Sequence, residues 1–208
     1  MIFDCDGVLV DSDRISLRIQ AEALAELGLP MTYEQRFEQF AGLGMPRTIE
    51  IVEERLGRSL PADWDAVLAA RVHEAFERDL VPIPGVIEAL DAIVVKTCVA
   101  SSGTHDKMKL TLGLTDLYER FDGRIFSTTE VARGKPAPDL FLHAASQMAH
   151  EPARCCVVED SKPGVEAARV AGMYAFGYAA TTSPDLLDGT DTTVFDDMRL
   201  LPQLINGL

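Results

Sequence analysis

Residues 1–13, MIFDCDGVLVDSD, place four aspartates directly after a short apolar run. The run is typical of a buried β-strand, and the aspartates are Asp4, Asp6, Asp11 and Asp13. Carboxylates this close together either form a solvated acidic turn or meet at a metal ion. A metal-dependent site needs further polar residues at matching places in the fold, so the rest of the sequence distinguishes the two alternatives.

Short apolar runs rich in β-branched residues recur between helical patterns. They lie at 1–3, 94–100, 124–128, 155–158 and 173–179. The runs lack the polar alternation of half-exposed strands, which indicates parallel strands that are buried on both faces. Pro84, Pro136 and Pro163 stand near the starts of intervening helical patterns, where proline is tolerated. The sequence therefore predicts an α/β fold with a doubly wound, mostly parallel sheet.

The interval 12–80 contains helical patterns but no strand-like run. Apolar residues recur there every four positions, at Ile15, Ile19, Ala23 and Leu27 and again at Leu68, Val72, Phe76 and Leu80. Breaks containing glycine and proline divide the interval into about four helices. A simple βαβ crossover needs less helix than this. We therefore predict an all-helical domain at 12–80, inserted into an α/β core formed by 1–11 and 81–208.

Composition limits the classes of partner and location. The chain has 208 residues and a formal net charge of -14, without a run of Lys and Arg, so we predict no binding of nucleic acid. It shows no signal peptide and no apolar run of membrane length, and its four cysteines lie in or beside apolar runs without metal-binding spacing. We expect a cytoplasmic protein that does not bind membranes. The oligomeric state is not indicated.

The start of the chain is short for a buried strand. Only three residues precede Asp4, whereas such strands usually run about 5 residues or more. We therefore expect a few native residues to be missing before Met1.

Polar residues follow each predicted strand, where ligands bind in an open parallel sheet. These residues are Asp4 and Asp6 after the first strand, Ser101, Ser102, Gly103 and Thr104 after the second, Lys135 after the third, and Glu159 and Asp160 after the fourth. Crowded carboxylates repel one another and call for a cation, and oxygen ligands without His or Cys favour Mg²⁺. We expect Asp4, Asp160 and the main-chain carbonyl of Asp6 to bind it.

The same residues suit phosphoryl transfer. A carboxylate such as Asp4 is a competent nucleophile toward phosphorus and forms an aspartyl-phosphate. Asp6, two residues on, can protonate the departing oxygen and later activate a water molecule. Ser101 and Lys135 can donate hydrogen bonds to the remaining phosphoryl oxygens. The chemistry predicted from the residues is therefore Mg²⁺-assisted attack on a phosphate ester.

Four motifs in this order resemble those of the haloacid dehalogenase superfamily, in the branch with a helical cap after the first motif. They are DCDGVLVDSD (4–13), VASSGT (99–104), GKPAPD (134–139) and VVEDSKPGVEAA (157–168). The resemblance spans the chain and implies that 12–80 is the cap and the remainder the catalytic core. It implies the following roles: Asp4 as nucleophile, Asp6 as general acid/base, Ser101 as phosphate donor, Lys135 as charge clamp, Asp160 as Mg²⁺ ligand, and Glu159 as a ligand or the partner of one.

The second aspartate of the first motif narrows the activity. Superfamily dehalogenases lack an acid/base at this place, so Asp6 favours phosphoryl transfer. The motifs resemble β-phosphoglucomutase and its phosphatase relatives about equally. Such mutases carry basic residues in a cap loop, where this chain has Ala41 and Met45, with only Arg47 nearby. We predict a phosphatase acting on a small phosphorylated metabolite of the sugar or sugar-acid class, with a hexose phosphomutase as the alternative. A catalytically silent binding protein is disfavoured because all motif residues are present.

Other candidate residues have competing interpretations. Ser102, Gly103 and Thr104 either line the substrate pocket or simply start the following helix. GLGMPR (42–47), with Arg47, either contacts substrate when the cap closes or forms a plain interhelical turn. Asp11 and Asp13 are more typical of residues at a helix start than of metal ligands. We therefore place Arg47 and residues 102–104 in the substrate site, and leave the later two aspartates out.

Overall fold

A computed structural model describes residues 1–32, 35 and 45–207 of the protein, and for residues 45 and 46 it describes the backbone alone. The chain divides into two compact units. The larger unit comprises Met1–Asp11 and Val81–Leu208, and the smaller comprises Ser12–Leu80.

The larger unit is built on a parallel sheet. Its strands are β1 (Ile2–Phe3), β2 (Cys98–Ser101), β3 (Ile125–Ser127), β4 (Cys156–Glu159), β5 (Tyr174–Tyr178) and β6 (Thr192–Phe195). Within the described residues the order is β3-β2-β1-β4-β5-β6, and every pairing is parallel. The chain order reverses on either side of β1, which places this strand at the switch point of a doubly wound sheet. The predicted fold class is confirmed.

Helices pack against the sheet through small and apolar side chains. In chain order the smaller unit contributes α1 (Ser12–Glu26), α2 (Met45–Leu56) and α3 (Trp64–Asp79), and the larger contributes α4 (Val86–Ala92), α5 (His105–Leu114), α6 (Asp139–Gln147), α7 (Lys162–Val170), α8 (Pro184–Leu187) and α9 (Leu201–Ile205). Ala144 on α6 and Ala168 on α7 are fully buried in one cluster with Val157 of β4. Alanine at these positions lets the helices approach the sheet closely.

In the helical unit, α1 packs against α3. Ile15 and Ile19 of α1 and Leu68 and Phe76 of α3 are buried, as their four-residue spacing predicts. Bidentate hydrogen bonds from Arg71 to Glu26 join the exposed edges of the two helices. The predicted count of about four helices includes positions 33, 34 and 36–44, which lie outside the described residues.

Two predicted strand boundaries were wrong. The run 94–100 was expected to be a strand throughout, but β2 begins only at Cys98, and Val94 is 96% exposed. Because the register pairs Cys98 with Ile2 and Val99 with Ile125, residues before Cys98 lie beyond the assigned ends of both neighbouring strands. β6 was not predicted, since this edge strand buries only Phe195 and reads as a polar segment.

None of the described helices combines the length and the apolarity that a membrane-spanning segment requires.

Candidate functional site

The carboxyl ends of three adjacent strands carry the polar residues of the site. Asp4 directly follows β1, and its backbone N–H donates to the carbonyl of Val158 in β4 (3.0 Å). Ser101 ends β2, whereas Glu159 ends β4 and Asp160 follows it. Since β2, β1 and β4 are parallel neighbours, these ends lie at one edge of the sheet. The topology explains how residues far apart in sequence meet.

Lys135 connects two of the carboxylates from the segment between β3 and α6. Its Nζ lies 2.7 Å from Asp4 Oδ1 and also donates to Glu159 Oε1. The side chain is only 6% exposed. Burial lowers the pKa of Lys135, but the Asp4 and Glu159 carboxylates outweigh it and raise the pKa above its usual range. The lysine is therefore a permanent positive charge at the centre of the cluster.

One ammonium does not neutralise the carboxylates around it. Burial raises the pKa of Asp4 to about 7, with Lys135 opposing the shift and Glu159 and Asp6 adding to it. Asp4, Glu159 and Asp160 each offer an oxygen, and these three atoms all lie within 4.8 Å of one another. When ionised, the three acids carry more negative charge than Lys135 balances. A bound cation would remove this excess.

The donor set fits a hard divalent cation such as Mg²⁺. All three candidate ligand atoms are carboxylate oxygens, which Mg²⁺ prefers. Gly7 has φ +74°, and a Cβ built on it would lie 2.0 Å from Asp160 Oδ2. The Asp160 carboxylate therefore occupies space that only a glycine leaves open. Asp6 does not belong to this group through its carboxylate, which points to another partner.

That partner is Lys107, a residue not predicted to belong to the site. Its Nζ lies 2.8 Å from Asp6 Oδ2, in a pair whose side chains are 35% and 15% exposed respectively. Lys107 lies in the first turn of α5, the helix that begins directly after the Ser101 motif. That position was the available signal, because the first turn of a helix following a site strand can point back to the site.

The fully buried Glu159 carboxylate has its own supporting contacts. Its Oε2 accepts from both the backbone N–H and the hydroxyl of Ser161, each at 2.8 Å. The Ser161 hydroxyl also caps α7 by accepting from Gly164 N–H. A Cβ on Gly164 would lie 1.9 Å from the Glu159 carboxylate. Ser161 and Gly164 thus position this acid, the first by hydrogen bonding and the second by leaving space.

Residues 101–104 form a turn that leads from β2 into α5. Ser101 is buried, and its Oγ accepts from Gly103 N–H (3.1 Å). A Cβ on Gly103 would lie 3.6 Å from Asp6 Oδ2, so this residue borders the acid/base candidate. Thr104 is the N-cap of α5, since its side chain accepts from Lys107 N–H, and Ser102 is exposed. The helix-start interpretation therefore applies to Thr104, and a substrate contact by 102–104 stays a prediction.

Arg47 belongs to the helical unit. It lies on α2, where its side chain is 56% exposed and donates to Glu50 at 2.7 Å. The preceding positions 42–44 of the predicted substrate loop lie outside the described residues. Asp13 lies in the first turn of α1, and Asp11 immediately precedes that helix. The structure thus gives Arg47 a local partner, and its predicted substrate contact stays a prediction.

Comparisons with known proteins agree over nearly the whole chain. A family model described as haloacid dehalogenase-like hydrolase matches residues 1–178. The 6-phosphogluconate phosphatase of Escherichia coli K12 is 32% identical over 205 residues, covering 98% of this chain and 93% of that protein. A conserved haloacid dehalogenase-like protein of unknown function from Agrobacterium tumefaciens is 34% identical, with a TM-score of 0.88 and coverage of 99% and 96%. A family hydrolase from Deinococcus radiodurans, with bound phosphate and sodium, is 28% identical, with a TM-score of 0.82 and coverage of 99% and 94%.

Proposed function

Because this chain belongs to the haloacid dehalogenase-like hydrolases, we propose that it is a Mg²⁺-dependent phosphatase of small sugar or sugar-acid phosphates. One observation carries the proposal: the Asp4 carboxylate lies against Lys135 and beside Glu159 and Asp160, two residues before Asp6. The similarity to a 6-phosphogluconate phosphatase supports the substrate class. The substrate partner is then a small phosphorylated metabolite, and a cytoplasmic location stays a prediction.

The first half of the reaction uses both aspartates. An Asp4 carboxylate oxygen attacks phosphorus and forms an aspartyl-phosphate, while the bond from phosphorus to the alcohol oxygen breaks. The electron pair goes to that oxygen, and protonated Asp6 supplies its proton, which releases an alcohol. Lys135 and the Ser101 hydroxyl donate to the other phosphoryl oxygens. In this scheme Lys135 moves its hydrogen bonds from carboxylates to phosphate.

In the second half, Asp6 acts as a base. It takes a proton from a water molecule, whose oxygen attacks the aspartyl-phosphate and releases inorganic phosphate. Asp6 is thereby protonated again, and Asp4 returns to its carboxylate form. Mg²⁺, held by Asp4, Asp160 and the Asp6 carbonyl with Glu159 as a ligand or support, would supply charge to offset the phosphoryl oxygens. Ser102, Gly103, Thr104 and Arg47 are the proposed contacts to the remainder of the substrate.

The wild-type protein should release phosphate in the presence of Mg²⁺ from at least one compound of a panel of sugar, sugar-acid and short-chain phosphates. We would begin with 6-phosphogluconate and measure inorganic phosphate, with and without a chelator. Release without any bisphosphate activator would identify a phosphatase. Conversion of one hexose phosphate isomer into another, dependent on a bisphosphate and without release, would instead identify the phosphomutase alternative. No turnover in either assay would refute both.

Mg²⁺ should stabilise the folded protein, because it relieves repulsion among Asp4, Glu159 and Asp160. At a concentration of 100 times the Kd, a ligand specific for the folded state adds about 2.7 kcal/mol to the free energy of unfolding. Thermal unfolding with increasing Mg²⁺ would measure this gain, and a chelator should abolish it. Asp160→Asn should greatly reduce the Mg²⁺ response, whereas Asp13→Asn, outside the cluster, should preserve it. An equal response in both variants would contradict the assigned ligands.

A further inference from the structure

We propose that Lys107 is a positioning residue that holds the Asp6 carboxylate in place for proton transfer to the leaving oxygen. The inference rests on the proposed function, because it assigns Asp6 the acid/base role. It adds a residue outside the four motif positions that carry the reaction. Lys107 itself would contact Asp6 and not the reacting atoms.

The contact between the two residues is direct and sterically permitted. Lys107 Nζ donates to Asp6 Oδ2 at 2.8 Å, across 101 positions of the chain. A Cβ on Gly103 would lie 3.5 Å from Lys107 Cδ and 3.6 Å from Asp6 Oδ2. The side chain therefore runs past a glycine on its way to the carboxylate. A larger residue at 103 would press on both members of the pair.

The helix that carries Lys107 is fixed beside residues 5 and 6. The side chain of Thr104 caps α5 by accepting from the Lys107 N–H at 3.2 Å. One turn later, the Thr111 hydroxyl donates to the Lys107 carbonyl at 3.0 Å, and it lies 3.9 Å from Cys5 Sγ. Two successive turns of α5 therefore contact two successive residues of the catalytic loop. The backbone from which Lys107 projects is thus anchored on both sides.

Position matters more for Asp6 than for a structural acid. Its carboxylate must reach first the leaving oxygen and then a water molecule, and proton transfer requires hydrogen-bond distance to both. Side-chain displacements of about 1 Å can cost about 10²-fold in rate. An ammonium on one carboxylate oxygen restricts rotation of the Asp6 side chain. The pair is also partly exposed, so its loss should change stability little.

The decisive variant is Lys107→Met, which keeps the length of the side chain and removes the donor. We expect kcat/KM for the alkyl phosphate that the wild type hydrolyses best to fall by about 10²-fold. For p-nitrophenyl phosphate the fall should be below about 5-fold, because its phenolate leaves without a proton. We choose kcat/KM because it reports leaving-group departure even when breakdown of the aspartyl-phosphate limits kcat. Thermal unfolding should be close to wild type.

Three comparison variants separate positioning from a general effect. Lys109→Met removes an exposed lysine from the same helix and should leave both substrates unaffected. Lys107→Arg keeps a cationic donor and should recover part of the alkyl phosphate activity. In an Asp6→Asn background, Lys107→Met should cause no further loss, because the two residues act through one step.

Two results would overturn the inference. One is an equal loss toward both substrates, and the other is an additive loss on top of Asp6→Asn. A Lys107→Met enzyme with wild-type kcat/KM toward the alkyl phosphate would also exclude it, yet leave the phosphatase assignment standing. Failure of the wild type to release phosphate from the panel would instead remove the proposed function itself.

Discussion

Asp4→Asn should lower phosphatase activity by at least about 10⁴-fold, because the amide cannot attack phosphorus to form the aspartyl-phosphate. The substitution changes side-chain size very little in a residue that is 7% exposed, and it keeps an oxygen that can accept from Lys135. Phosphate release should be measured at saturating Mg²⁺ with the substrate that the panel identifies. Circular dichroism would confirm that the variant is folded.

The matched control for this result is Asp13→Asn, the same chemical change in an exposed aspartate nine positions later. Its activity should equal that of the wild type. A folded Asp4→Asn protein that retains a tenth or more of the activity would exclude Asp4 as nucleophile.

Gly164→Ala should lower the free energy of unfolding by about 3 kcal/mol or more. A Cβ at this position would lie 1.9 Å from the Glu159 carboxyl group, which is fully buried between Lys135 and Ser161. Expelling the acid would leave Lys135 with one partner fewer, and disrupting a buried charge pair costs about 3–5 kcal/mol. Thermal and denaturant unfolding would measure the loss, and Mg²⁺-dependent activity should fall by about 10–100-fold.

Gly113→Ala provides the control of opposite sign. Gly113 is also a helical glycine, near the end of α5, but a Cβ there would meet nothing within 4 Å. We expect a stabilisation of about 0.5–1 kcal/mol from helix propensity and reduced unfolded-state entropy. If both variants had the same unfolding midpoint, the close approach of Gly164 to Glu159 would not control stability.

The fold was predictable from the sequence wherever a segment is buried on both faces. Val157 and Val158 of β4 are fully buried, and an apolar run without alternation is the direct signature of that environment. Val94 and Val95 show the same composition but are exposed, because strand length depends on the register of β1 and β3. Local composition carries no information about such pairing. β6 failed for the opposite reason, since an edge strand needs few apolar residues.

The prediction of the site followed the same division. Asp4, Ser101 and Asp160 stand at strand ends, so topology alone brings them to one edge of the sheet. Lys107 projects from a helix, and its contact with Asp6 depends on how α5 is anchored to residues 5 and 6. The spaces left by Gly7 and Gly164 likewise exist only in three dimensions. Sequence spacing could identify the reagents, but not the residues that position them.

The central place of β1 governs when this enzyme can first act. The strand that leads into Asp4 is synthesised first, yet its partner residues are Cys98 and Val157. A nascent chain therefore carries its nucleophile through most of translation without either neighbouring strand. Joining such distant segments requires closing long loops, which is entropically costly and slow. Activity should consequently appear only after residue 160 has left the ribosome, so an incomplete chain cannot attack a phosphate ester prematurely.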